Sequence, residues 1–181
     1  EAKHYLRASR SRKSTSYRVP GAVLKALRNS TPYVYEPEPV LDTQAFFDRF
    51  DRLMDEKNDD EQTYDSLKEQ TREMLEEIKD SVFAKQLNRC ELCDDDKLLF
   101  IFMAHLFVEN NDDNIGFHDI DDLFDDGDIP SWVKREFRTH ESELFEQGLI
   151  ENVNEDGMAR SDAFKLTNKA KDELLCELNM D

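Results

Sequence analysis

Apolar residues recur in more than one rhythm along this chain, and each rhythm predicts a different element. From Asp42 onward, Phe46, Phe47, Phe50, Leu53 and Met54 fall at i, i+1, i+4, i+7 and i+8, one stripe of an amphipathic helix. Lys57-Asn58-Asp59-Asp60 breaks the stripe. A second helix begins at Thr63 as N-cap and turns Leu67, Met74, Leu75 and Ile78 inward. Val82, Phe83 and Leu87 continue into a further short helix. Asp94 or Asp95 then caps a strongly apolar helix over residues 97–109, placed at the centre of the fold.

Beyond that helix the grammar changes. Asn111-Asp112-Asp113-Asn114 is turn chemistry, Ile115-Gly116-Phe117 a short extended piece, and residues 119–124 a short helix closed by Asp125-Asp126-Gly127. Pro130 and Ser131 open a longer helix through Trp132, Val133, Phe137, Leu144 and Phe145, which stops at Gly148. Residues 149–153 read as a strand, Asn154-Glu155-Asp156-Gly157 as a turn, and Phe164-Lys165-Leu166 as the return strand. Thr167 caps a last helix reaching Leu178. Helix, short strand, helix, helix, hairpin, helix is the plan of a winged helix. The expected fold is mainly α: a helical front segment, then a winged helix-turn-helix domain with a small β-hairpin wing.

The first forty residues follow neither pattern. Ser9 to Ser16 has no hydrophobic period and is expected to lack regular structure, whereas residues 19–27 can form a short helix with Pro20 in its first turn. Pro32, Pro37 and Pro39 fix extended backbone and mark a linker. The expected divisions are 1–41, a basic arm and Pro-rich linker; 42–93, the helical segment; and 94–181, the winged domain.

Charge sharpens this division. The 181 residues carry a formal charge of −18, yet residues 1–28 hold eight Lys/Arg against Glu1 alone. The arm is therefore +7 and the rest −25. Such an arm, with Arg10, Arg12 and Lys13 at its centre, binds nucleic acid, lies on an acidic surface as an intramolecular or homo-oligomer contact, or stays mobile. The longest apolar run, residues 98–108, is too short for a bilayer span, and the basic opening has no signal-peptide core. Three cysteines do not make a secreted disulfide framework. The expected location is cytoplasmic, with no membrane partner.

Residues 42–179 resemble the N-terminal region of a group of bacterial AAA+ family ATPases, in which an all-helical segment and a winged-helix domain precede the motor. The likeness rests on Phe46-Phe47-Asp48-Arg49-Phe50, on the run from Val108 through Asn114-Ile115-Gly116-Phe117-His118-Asp119-Ile120, and on Ile150-Glu151, Asp156-Gly157 and Phe164-Lys165-Leu166-Thr167-Asn168-Lys169-Ala170-Lys171. The family's motor carries a glycine-rich phosphate loop, which Gly21, Gly116, Gly127, Gly148 and Gly157 cannot form. The resemblance therefore implies the accessory part of an ATPase, with no catalytic residue and no cofactor assigned here.

Several constellations invite chemistry. Cys90-Glu91-Leu92-Cys93 has the spacing of half a zinc site or a redox pair but lacks companion ligands at finger spacing. Asn152 to Gly157 imitates the first half of a calcium loop, yet its twelfth position is Ala163 instead of Glu. Lys134, Arg135 and Arg138 share their helix with Glu136, Glu141, Glu143 and Glu146, so that helix is not expected to bind DNA. Asp119, Asp121, Asp122, Asp125, Asp126 and Asp128 form an acidic patch suited to Mg²⁺, to a basic partner or to simple solvation. The expected function is a non-catalytic interaction or regulatory domain that recruits a protein partner, or its own ATPase module. The alternative is a nucleic-acid-binding regulator that uses the arm.

Overall fold

The computed structural model describes Arg7–Ser11, Ser14–Arg18, Leu27 and residues 40–178. The chain divides into two compact units, residues 1–39 and 40–181.

In the first unit, strands β1 (Arg7–Ser11) and β2 (Ser14–Arg18) pair antiparallel, with Arg10 opposite Thr15 and Ser11 opposite Ser14. This hairpin corrects the expectation of an arm without regular structure. A β-ladder is built from backbone N–H and C=O groups, so two adjacent extended segments can pair without an apolar stripe. Arg12 and Lys13 lie outside the described residues, as do the Pro-rich linker and, apart from Leu27, the helix expected over 19–27.

The second unit opens with α1 (Thr43–Asn58), whose N-cap Asp42 accepts a hydrogen bond from the Ala45 amide at 2.8 Å. Its stripe of Phe46, Phe47, Phe50, Leu53 and Met54 is wholly buried. Thr63 caps α2 (Tyr64–Glu77) and Ser81 caps α3 (Val82–Arg89), each hydroxyl accepting from an amide three residues on. The central helix, α4 (Asp94–Asn110), is buried continuously from Leu98 to His105, so apolar residues occupy its whole circumference. Its cap is Cys93, not Asp94 or Asp95. The Cys93 sulfur accepts from the Asp96 amide at 3.4 Å, and Asp94, Asp95 and Asp96 fill the first turn, where carboxylates meet the positive end of the helix dipole.

After Asn111 turns left-handed come β3 (Ile115–Gly116), α5 (Phe117–Ile120) and two 3₁₀ turns, Asp121–Leu123 and Asp125–Gly127. The long helix expected from Pro130 to Gly148 is two: α6 (Ser131–Thr139) and α7 (Glu143–Glu146). His140 adopts φ +58° and ends α6, the Glu141 amide bonds back to the Glu136 carbonyl, and Ser142 caps α7. Strands β4 (Ile150–Glu155) and β5 (Met158–Leu166) form a hairpin closed by Asp156 and Gly157, both at positive φ as a two-residue turn requires. β3 adds to the other edge of β5, giving an antiparallel sheet of order β3–β5–β4. Thr167 caps α8 (Asn168–Leu174), which ends four residues short of the expected Leu178.

One apolar core runs through the unit from Val40 to Leu178, so the front helices and the sheet-bearing half share their interior. Phe46, Phe47 and Phe83 pack with ring centroids 5.2–5.5 Å apart at one end. Phe117, Phe137, Phe145 and Phe164 cluster behind the sheet. Among the described residues no helix is long and apolar enough to cross a membrane.

Glu177 locks the two chain ends of this unit together. Its carboxylate accepts from the Thr43 hydroxyl at 2.7 Å and from the Val82 and Phe83 amides at 3.1 and 3.3 Å. Burial works against the charge, but these three donors hold the carboxyl below its ordinary range. A hydrogen bond to a charged group contributes about 1.5–3 kcal/mol, and Glu177→Ala also strips a cap from α3. We expect Glu177→Ala to lower stability in urea by roughly 2–3 kcal/mol, with the α3 amides the first to lose hydrogen-exchange protection.

Candidate functional site

The acidic segment predicted as an interaction patch is brought together on one stretch of chain, but half of it serves the fold. Asp119 accepts from the Gly116 amide at 2.8 Å, and Asp121 from the Ile129 amide at 3.3 Å. Asp125 takes the Lys57 ammonium at 2.5 Å and the Tyr64 amide at 2.9 Å, and the Lys57 bond holds its carboxyl below the usual range. Lys57 is only 8% exposed, so Asp125 neutralises a cation that water barely reaches. Asp122, by contrast, has its carboxyl pushed up by partial desolvation and by the charges of Asp119 and Asp121. Asp126 and Asp128 are exposed, and their side chains make no hydrogen bond or ion pair among the described residues.

This division is testable by substitution. Asp125→Asn should cost about 1–3 kcal/mol, because it leaves Lys57 buried without a counter-charge. Asp126→Asn and Asp128→Asn should change stability by no more than about 0.5 kcal/mol. Urea denaturation of the three variants, measured in parallel, checks both halves.

A second surface lies where β3, α5, α6 and β5 meet. A groove of about 450 Å³ is lined there by Gly116, His118, Lys134, Arg138, Arg160 and Asp162, among others. Arg138 donates from Nε to Asp162 at 2.9 Å, and its guanidinium lies 5.2 Å from the Phe117 ring centre, which orients the remaining N–H groups. Arg160 pairs with Glu155 at 3.2 Å. Lys134 is half-buried and has no ion-pair or hydrogen-bond partner among the described residues. His118 folds back over Gly116: a Cβ there would stand 2.6 Å from the imidazole, so only glycine allows this closeness without moving the ring. On the longer helix expected from the sequence, Lys134 and Arg138 are offset by Glu141, Glu143 and Glu146, but α6 itself carries only Glu136. Tertiary structure instead groups them with Arg160 from the hairpin, and linear charge patterning carries no signal for that.

The cysteine motif resolves into two free thiols, Cys90 half-buried and Cys93 exposed, both pushed up in pKa by burial. Among the described residues, Cys93, Asp96 and Glu143 bring three potential ligand atoms within 4.8 Å of one another. Each already serves a helix terminus. The Cys93 sulfur caps α4, Glu143 accepts from the Cys93 amide at 3.2 Å, and Asp96 accepts from the Ser142 hydroxyl at 3.3 Å across to α7. Burial, together with the Glu143 charge, raises Asp96 to about 6 despite the Ser142 bond. The loop resembling a calcium site forms the turn of the hairpin, where the Asn152 amide group donates to the Arg160 carbonyl and its oxygen contacts His140 Nε2. Of the basic arm, Arg10 lies in β1 within the separate first unit.

No protein-family model matches this chain, and neither a curated protein nor a solved structure is detectably similar to it.

Proposed function

We propose that residues 40–178 form a helical front segment joined to a winged-helix domain, and that this body is a non-catalytic module recruiting a partner protein to an AAA+ motor. The order α4, β3, α5, α6, α7, β4, β5, α8 and the strand order β3–β5–β4 support the winged-helix reading, with the single-turn α7 as an extra piece before the hairpin. The family resemblance of the segments around Phe46, Asn114 and Leu166 supports the link to an ATPase.

The observation that carries the recruiting role is the separation of charges with a structural duty from charges without one. Asp119, Asp121 and Asp125 hold the fold, while Asp126 and Asp128 project beside them with none of that work. Fixed exposed charge on a rigid scaffold is suited to steering and registering a partner surface of opposite sign.

A photo-crosslinking amino acid placed at Asp126 in the cell tests this. Discrete protein adducts that disappear on Asp122→Lys with Asp128→Lys support the reading. Illumination that yields no adduct, or only nucleic-acid adducts, contradicts it. The second reading, a nucleic-acid regulator, draws on the cations of the groove and on the basic hairpin, whose strands include Arg7, Arg10 and Arg18.

A further inference from the structure

We propose that the groove formed by β3, α5, α6 and β5 binds a short segment of the partner protein that carries one or two side-chain carboxylates, with Lys134 and Arg138 as the receiving cations. This rests on the recruiting role argued above and adds where the partner is held and what chemistry it presents.

Lys134 is the main reason. A partly covered lysine whose ammonium has no ion-pair or hydrogen-bond partner among the described residues stands out on a chain of charge −18, where acids are plentiful. It has taken no counter-charge, so an incoming carboxylate has no existing ion pair to displace. Arg138 is the second. Asp162 and the Phe117 ring fix its orientation, yet one bond to Asp162 engages only one of its five N–H donors. Phe117 is only partly buried beside them, which favours an apolar residue adjacent to the acid. Gly116 keeps the floor of the groove low, because any Cβ there would collide with His118.

The margins of the groove select between anions. Glu155 sits on Arg160, Asp162 on Arg138, and Asp119 lies 3.4 Å from His118 Nε2. A nucleic-acid duplex carries about one charge per 1.7 Å and needs a continuous basic strip, so its neighbouring phosphates would meet these carboxylates. One or two side-chain carboxylates on a peptide need only the two receiving cations. An acidic peptide segment therefore fits where a polyphosphate backbone does not.

The test uses the full chain, ¹⁵N-labelled, and a short fluorescein-labelled peptide with one Asp-Glu pair beside a single Phe in otherwise neutral residues. Anisotropy gives the affinity, and amide shifts give the site. The expected result is saturable binding, with shifts concentrated around Gly116, Lys134, Arg138 and Ala163. Lys134→Glu should weaken it by roughly tenfold or more, while Arg135→Glu, the same charge change one residue along and outside the groove, should leave it within about twofold. The Lys134 side chain holds no hydrogen bond or ion pair among the described residues, so melting should change little, and Lys134→Gln repeats the measurement without adding a negative charge. Equal weakening by the two glutamate variants would mean diffuse attraction and would overturn the proposal, as would no binding at all. A labelled DNA duplex that displaces the peptide and binds more tightly would overturn it in favour of nucleic acid. Protein adducts from the Asp126 crosslinker, obtained together with a negative result here, would leave the recruiting role standing and remove only this groove from it.

Discussion

Phe83→Ala is expected to cost about 3–5 kcal/mol, the range for removing a fully buried aromatic ring. Phe83 has no exposed surface and packs against Phe46 and Phe47 at centroid distances of 5.5 and 5.2 Å. Both neighbours come from α1, so the cavity would open between the first helix of the unit and α3. Domains of this size hold only about 5–15 kcal/mol in total, so the loss is a large share. Urea titration should show the midpoint falling with an unchanged slope. A cost under about 1 kcal/mol would mean that the α1–α3 seam is not a rigid part of the core.

The second large effect is a hidden pH dependence. Asp96 is raised to about 6 in the folded protein by burial and by Glu143, from an ordinary 3.8. The folded state therefore holds a proton that the unfolded chain has released, and stability falls as pH rises from 3.8 to about 6. His105 does the opposite. Burial lowers it to about 4 from 6.5, against the pull of Asp55, so stability rises with pH across that window. A tenfold change in proton affinity between folded and unfolded chain is worth about 1.36 kcal/mol, so each group contributes on the order of 2–3 kcal/mol once solvent screening is discounted, with opposite sign.

In the wild type the two trends largely cancel. Asp96→Asn should unmask the rise, and His105→Gln the fall. The groups facing Asp96 are Ser142, Glu143 and Glu136, and those facing His105 are Asp51, Asp55 and the Phe50 ring. Urea midpoints measured for both variants between about pH 4 and 6.5 check the signs. If both variants keep the wild-type slope, neither group is buried as described.

Elements whose signals are local were legible in the sequence. The stripe of α1, the caps Thr63 and Thr167 and the stop at Gly148 each depend on a few neighbouring residues, and each stands in the structure; the turn expected over residues 154–157 narrows to Asp156-Gly157, because Asn154 and Glu155 pair in the hairpin. Misreadings occurred where the deciding interaction was unusual or distant. A thiol in place of a carboxylate caps α4, and a left-handed His140 splits a helix that apolar spacing alone joins. The hairpin of the arm is held by a backbone ladder and leaves no side-chain period to read. At the candidate site, the acidic segment could be seen as a cluster, but its division into structural and unengaged carboxylates depends on Lys57, Gly116 and Ile129. The basic groove was invisible because its cations come from α6 and β5, 22 residues apart between Arg138 and Arg160.

The most direct test of a protein-recruiting body, as against a nucleic-acid reader, is a titration of labelled duplex DNA at low salt. It compares the full chain with a chain lacking residues 1–28, whose deletion leaves the second compact unit whole. The expected result is that any duplex binding belongs to the +7 arm and vanishes with it, since the remainder carries −25. Binding retained by the shortened chain, falling steeply with salt and abolished by Lys134→Glu, would contradict the protein-recruiting role and make the groove a nucleic-acid site.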